Sequence, residues 1–158
     1  TKPEDAKALM MKAMESPELG AENLRVAREA LATEGAERIG VLGWCFGGGW
    51  ALQAGIAQTH ALHAVVMYYG RVMTKPEEVE PLTAPLLGIF AADDQGIPVD
   101  QVKLFDAALK EAGEDATVHV YDGVDHDFAN PSGDRYNKEA ADDAWAKVIA
   151  VLGEHLQP

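Results

Sequence analysis

Four short strand-like runs, separated by segments of helical period, constrain this chain most. They are "RIGVLG", "ALHAVVMYY", "APLLGIFAA" and "ATVHVYDG". "RIGVLG" is continuously apolar, which predicts a strand buried on both faces. "WALQAGIAQT" then reads as a helix to about Thr59, and "VDQVKLFDAALKEAG" as an amphipathic helix with Val102, Phe105, Ala108 and Leu109 inward. "KEAADDAWAKVIAVLGEHL" predicts a last helix whose apolar stripe is Trp145, Val148, Ile149 and Leu152. Strands alternating with helices four times specify an α/β domain with about four parallel strands flanked by helices.

Two helices precede the first strand. One spans Lys2 to Glu15, with Ala6, Leu9, Met10 and Ala13 on one face. "SPELG" breaks it, with Ser16 and Pro17 suited to a helix start. The second spans about Leu19 to Thr33, with Leu24, Ala27 and Leu31 at helical spacing, and Gly35 placed to end it. "TKPEEVEPL" is polar and proline-punctuated, a loop with one helical turn. No repeat, low-complexity tract or linker divides residues 1–158, so the expectation is one domain.

Composition narrows the function. The formal net charge is −13. Such a surface repels nucleic acid and anionic membrane, so neither is expected as a partner. No run approaches the roughly 18 apolar residues of a membrane span. The single cysteine, Cys45, cannot form an internal bridge, which fits a reducing, cytoplasmic setting.

In open parallel sheets, sites form beyond the carboxyl ends of the strands. There this sequence carries Cys45 after the first strand, Tyr68, Tyr69 and Gly70 after the second, and Asp93 and Asp94 after the third. Asp122, Asp125, His126 and Asp127 follow the fourth. "GWCFG" places Cys45 in a Gly-x-nucleophile-x-Gly turn between strand and helix. Gly43 and Gly47 are read as letting neighbouring backbone pass close by, and Gly48 and Gly49 as permitting close helix–sheet packing. The helix N-terminus favours thiolate over thiol, and the Phe46 N–H is a candidate oxyanion donor. The competing reading is a buried, inert thiol.

Either Asp93 or Asp94 can orient an imidazole, and spacing alone does not choose between them; turn and capping roles compete. His126 stands apart from His60, His63, His119 and His155 because it lies at a strand's carboxyl end. Asp122, Asp125, His126 and Asp127 can in principle hold a divalent ion, but they lack the spacing of a metal motif, so no metal is expected. The order Cys, Asp, His is the nucleophile–acid–His order of α/β-hydrolases.

"GVLGWCFGGGWA", "MYYG", "ADDQGIPVDQV" and "GVDHDFANP", in that order, resemble the dienelactone hydrolase family of α/β-hydrolases. The resemblance implies a Cys–His–Asp triad of Cys45, His126 and Asp94, with Asp94 chosen because it lies four residues before Pro98. His126 falls in Gly-x-x-His-x-Phe with Gly123 and Phe128. It also implies a substrate pocket at Trp44, Tyr69 and Phe128, hydrolysis of a small ester or lactone through an acyl-cysteine, and no cofactor. Asn130 stands where the dienelactone-cleaving members carry an arginine.

The chain matches the second part of such enzymes, so their N-terminal strands are expected before Thr1. Without them "RIGVLG" becomes an apolar sheet edge, which invites pairing with another chain. The expectation is a homodimer through residues 38–42 or the flanking helices. The alternative function is a truncated, weakly active or inactive hydrolase-like domain acting through self-association or binding.

Overall fold

The protein is described by a computed structural model covering residues 2–157. Helices α1 (Pro3–Met14) and α2 (Pro17–Thr33) lead into β1 (Gly40–Trp44), α3 (Phe46–Ala57) and β2 (Ala64–Tyr68). The single turn α4 (Pro76–Val79), β3 (Leu86–Ala91), α5 (Val99–Ala112), β4 (Ala116–Tyr121) and α6 (Lys138–Leu156) follow. The four strands form one parallel sheet in the order β1-β2-β3-β4.

Strand alternation splits the core in two. Val65 and Met67 of β2 join Leu86 and Phe90 of β3 under α3 and α5. Val66 and Tyr68, with Leu87 and Ile89, face α6. α5 buries Val102, Phe105, Ala108 and Leu109, as its spacing predicts. α2 ends as predicted at Gly35, which adopts a φ of 94°. Ala36 N–H bonds the Leu31 carbonyl and Gly35 N–H the Ala32 carbonyl, the paired bonds of a Schellman stop.

Three expectations about faces hold only in part, with Val148 and Leu152 of α6, Leu24 of α2 and Met10 of α1 covered as expected. On α6 the covered residues are Ala140, Ala144 and Val148, whereas Trp145 and Ile149 are 46% and 54% exposed. The helix turns its small side chains to the sheet, which lets the two layers approach closely. On α2, Leu24 packs against the core while Leu31 stays exposed, because this helix leans on α3 rather than on the sheet. On α1, Met10 is half-buried and Leu9 exposed, because among the helices α1 packs on α2.

β1 also departs from a strand buried on both faces. It is half-buried along most of its length and forms one flank of the sheet. It pairs with β2 from Gly40↔Ala64 to Trp44↔Tyr68, and among the described residues no strand pairs with its other side.

Candidate active site

The sharp exit of β1 follows from close backbone contacts. A Cβ on Gly43 would lie 2.0 Å from the Gly47 carbonyl oxygen, so only glycine admits the turn. A Cβ on Gly48 would lie 2.5 Å from the Tyr68 carbonyl oxygen, which seats the first turn of α3 against the end of β2. Gly47 and Gly49 meet no such constraint: a Cβ on Gly47 finds open space and one on Gly49 only ordinary contacts. The expectation for those two glycines is corrected accordingly; the Gly47 backbone is what Gly43 must approach.

Cys45 sits at this exit with φ 52° and ψ −118°, a strained conformation for a residue with a Cβ. It is exposed, so the buried-thiol reading does not describe it. Its N–H bonds the Tyr68 carbonyl at 3.0 Å, and its carbonyl accepts from Gly48 and Gly49 N–H. Tyr69 and Asp127 also have positive φ, 33° and 73°, so backbone strain gathers around one locus.

Asp94 and His126 converge there from the ends of β3 and β4. His126 Nε2 is 3.0 Å from Cys45 Sγ, and His126 Nδ1 is 2.7 Å from Asp94 Oδ2. Asp94 is 3% exposed, and its Oδ1 accepts Gly96 and Ile97 N–H at 2.7 and 3.0 Å. Asp93 is exposed; its N–H bonds the Val124 carbonyl and ties the acid loop to the histidine loop. The structure therefore distinguishes the two aspartates that spacing left open. With its carboxylate on Nδ1–H, the imidazole presents Nε2 to the sulfur.

The electrostatics follow from these contacts. The hydrogen bond from His126 is the largest influence lowering the Cys45 thiol; partial burial opposes it, and the charge of His126 and the Phe46 N–H assist it. The nearby Asp127 charge acts against the thiolate. His126 rises to about 9, first through its bond to Cys45 and, against burial, through Asp94. Both directions favour a thiolate–imidazolium pair. Phe46 opens α3, where first-turn N–H groups lack helical carbonyl partners.

Two cavities meet at Tyr69. One, of about 650 Å³, is lined by Cys45, Phe46, Tyr69 and His126, with Met10 and Trp50 among its walls. The other, of about 460 Å³, is lined by Trp44, Tyr69, Asp127, Tyr136 and Trp145. Tyr69 thus borders the thiol, with its ring centroid 4.8 Å from that of His126, and burial keeps its phenol protonated. Trp44, expected in the same pocket, stacks on Tyr68 and lines the second cavity instead. Phe128 lines neither cavity. It is fully buried between Tyr69 and Tyr121, where it anchors the loop carrying His126.

The other acidic residues of that loop serve its own folding. Asp125 Oδ1 accepts the His126 N–H and its Oδ2 pairs with Arg135, while Asp127 Oδ2 accepts from the Asn130 amide. Among the described residues no three His, Cys, Asp or Glu side chains are grouped to hold a metal ion. Nor is any helix among them long and apolar enough to cross a membrane. Sequence reasoning missed Met10, Trp50, Arg71 and Lys75 as cavity walls. Arg71, directly after the "YYG" at the end of β2, was the signal available.

A parallel sheet whose strand ends bring thiol, carboxylate and imidazole together, in that chain order, has the α/β-hydrolase arrangement. The chain belongs to the dienelactone hydrolase family, whose sequence profile matches residues 1–156. A Saccharolobus solfataricus protein named "Putative carboxymethylenebutenolidase" is 35% identical over 126 residues, covering 80% of this chain and 48% of that protein. The chain spans about half the length of the curated relatives it matches. Among solved structures, "Putative Dienelactone Hydrolase from Klebsiella pneumoniae" superimposes with a TM-score of 0.77 at 28% identity, covering 85% of this chain and 60% of the other. A structure titled "m3DLH" shares the fold with a TM-score of 0.83 at 19% identity, covering 98% of this chain and 68% of that one.

Proposed function

We propose that this protein hydrolyses a small carboxylic ester or lactone through an acyl-Cys45 intermediate, as a family of hydrolases built on this sheet would. The observation that carries the reading is the continuous contact from Cys45 Sγ to His126 Nε2 and from His126 Nδ1 to buried Asp94. The Cys45 thiolate attacks the ester carbonyl carbon, and the C=O electron pair moves onto oxygen, towards the Phe46 N–H. Collapse of that oxyanion breaks the C–O bond, and the departing alkoxide takes the proton from His126 Nε2. In the second half, Nε2 removes a proton from water, the hydroxide attacks the thioester, and the acid leaves as the C–S bond breaks. Asp94 keeps Nδ1 protonated throughout, so that the same nitrogen, Nε2, gives and receives the proton.

The Saccharolobus solfataricus relative named "Putative carboxymethylenebutenolidase" and the Bradyrhizobium relative named "Probable 2-oxo-3-(5-oxofuran-2-ylidene)propanoate lactonase" support the ester and lactone class. The test is turnover of p-nitrophenyl acetate with and without Cys45→Ala. The wild-type protein releases p-nitrophenol and forms an acetyl adduct on Cys45, and the variant does neither. Equal rates in the two proteins would overturn the assignment.

A further inference from the structure

Met10 and Met14 of α1 do not serve the packing of the sheet. Among the described residues α1 adds none to either half of the core, and among the helices it packs on α2. Yet both methionines wall the cavity that opens on Cys45. Met11, between them in sequence, is equally apolar and exposed but does not line that cavity.

The wall that α3 supplies is aromatic. Phe46, next to the thiol, and Trp50, four residues on, share one face of the helix, with ring centroids 6.0 Å apart and planes at 84°. The indole is also held by α2. A Cβ on Gly20 would lie 2.2 Å from Trp50 Cη2 and 2.6 Å from both Cζ2 and Cζ3, so only glycine leaves room for the ring where it stands. Val72, Met73 and Ile97 continue the apolar lining and pack on the core as well. The charged walls, Arg71, Lys75 and Glu78, all come from one stretch of chain after β2, and the side chains from α1 and α3 carry no charge.

A cavity of about 650 Å³ is far larger than an acetyl group needs. A fixed indole on one helix and flexible thioethers on another suit an apolar group of variable shape. We propose that Met10, Met14 and Trp50 are specificity-determining residues, an apolar slot that favours esters carrying a flexible hydrocarbon chain into the Cys45 cavity. The proposal deepens the ester-hydrolase reading and rests on Cys45 as the reacting thiol, but its test does not require turnover.

N-Methylmaleimide and N-hexylmaleimide add through the same ring carbon to the same sulfur and differ only in the chain on nitrogen. The hexyl-to-methyl rate ratio at Cys45, read from the mass of the labelled protein, isolates the preference for the chain. Division by the methyl rate removes any change in the thiol itself, and the same ratio for free cysteine is the reference. The wild-type ratio is expected roughly tenfold or more above the reference, since each added methylene gives up to about fourfold when fully buried. The double variant Met10→Gln, Met14→Gln lowers the wild-type ratio roughly three- to tenfold, and Met11→Gln leaves it within about 1.5-fold. Trp50→Ala lowers it as well. Because α1 adds nothing to the core, the methionine variants decide should Trp50→Ala not fold. A wild-type ratio within about twofold of the reference, where burial of the chain predicts far more, overturns the proposal. So does a double variant that loses no more than Met11→Gln. Absence of p-nitrophenyl acetate turnover alone would count against the hydrolase reading and leave these ratios standing.

Discussion

Every residue of β2 and β3 is buried, whereas β1, equally apolar in sequence, is half-covered and ends in a Trp44 that is 44% exposed. Asp94 leaves an interior strand, and Tyr69 leaves another. Cys45 leaves the flank. The difference shows how the exit of a strand can be fixed when, among the described residues, another strand pairs with it on one side only. Its fixed position comes from β2 on one side and α3 above it, through the close passage of Gly43 by Gly47 and of Gly48 by Tyr68. The interior supplies orientation by burial, and the flank supplies it by backbone contact.

The largest expected effect comes from the interior side of the site. Asp94→Asn leaves the shape intact but removes the acceptor that holds the Nδ1 proton, and p-nitrophenyl acetate turnover is expected to fall about 10³- to 10⁴-fold. A loss confined to twofold would mean that burial of Asp94 serves the loop alone, through Gly96 and Ile97.

A smaller effect compares one residue type across the sheet. Leu42, Val66 and Leu87 lie in one cross-strand row, with Leu87 buried in the interior and Leu42 half-buried on the flank. Urea denaturation of dilute protein is expected to show a cost of about 3 kcal/mol for Leu87→Ala and about 1 kcal/mol for Leu42→Ala. We propose that a second copy of the chain covers the β1 flank, as exposed apolar edges favour. The Leu42→Ala cost then grows as protein concentration rises into the high micromolar range. A cost independent of concentration goes against that pairing.

The sequence carried the strands, the inward face of α5, the Gly35 stop and the three residues that converge. These depend on local patterns: apolar runs, helical spacing, and the rule that strand ends carry the chemistry. It carried only part of the α6 stripe that meets the sheet, Val148 and Leu152 but not Ala140 and Ala144. Hydrophobicity ranks Trp145 and Ile149 above Ala140 and Ala144, but close helix–sheet approach selects the alanines. Spacing could not separate Asp93 from Asp94 either, because the deciding contacts, to Gly96, Ile97 and His126, form only once β3 and β4 lie side by side. Phe128 was expected as a pocket wall from the family resemblance. Its role as an anchor depends on Tyr69 and Tyr121, which come from two other strand ends.

The account turns on a poised thiolate–imidazolium pair at Cys45 and His126, and the pH dependence of Cys45 alkylation by iodoacetamide tests it most directly. The lowered thiol and the raised imidazole predict a reactive thiolate well below the ordinary thiol value of about 8.5. As pH rises through that lowered value the rate climbs to a plateau that spans neutrality. It changes again as His126 loses its proton near pH 9 and its hydrogen bond to the sulfur. A single rise centred at about 8.5, the value of an unperturbed thiol, would contradict the account.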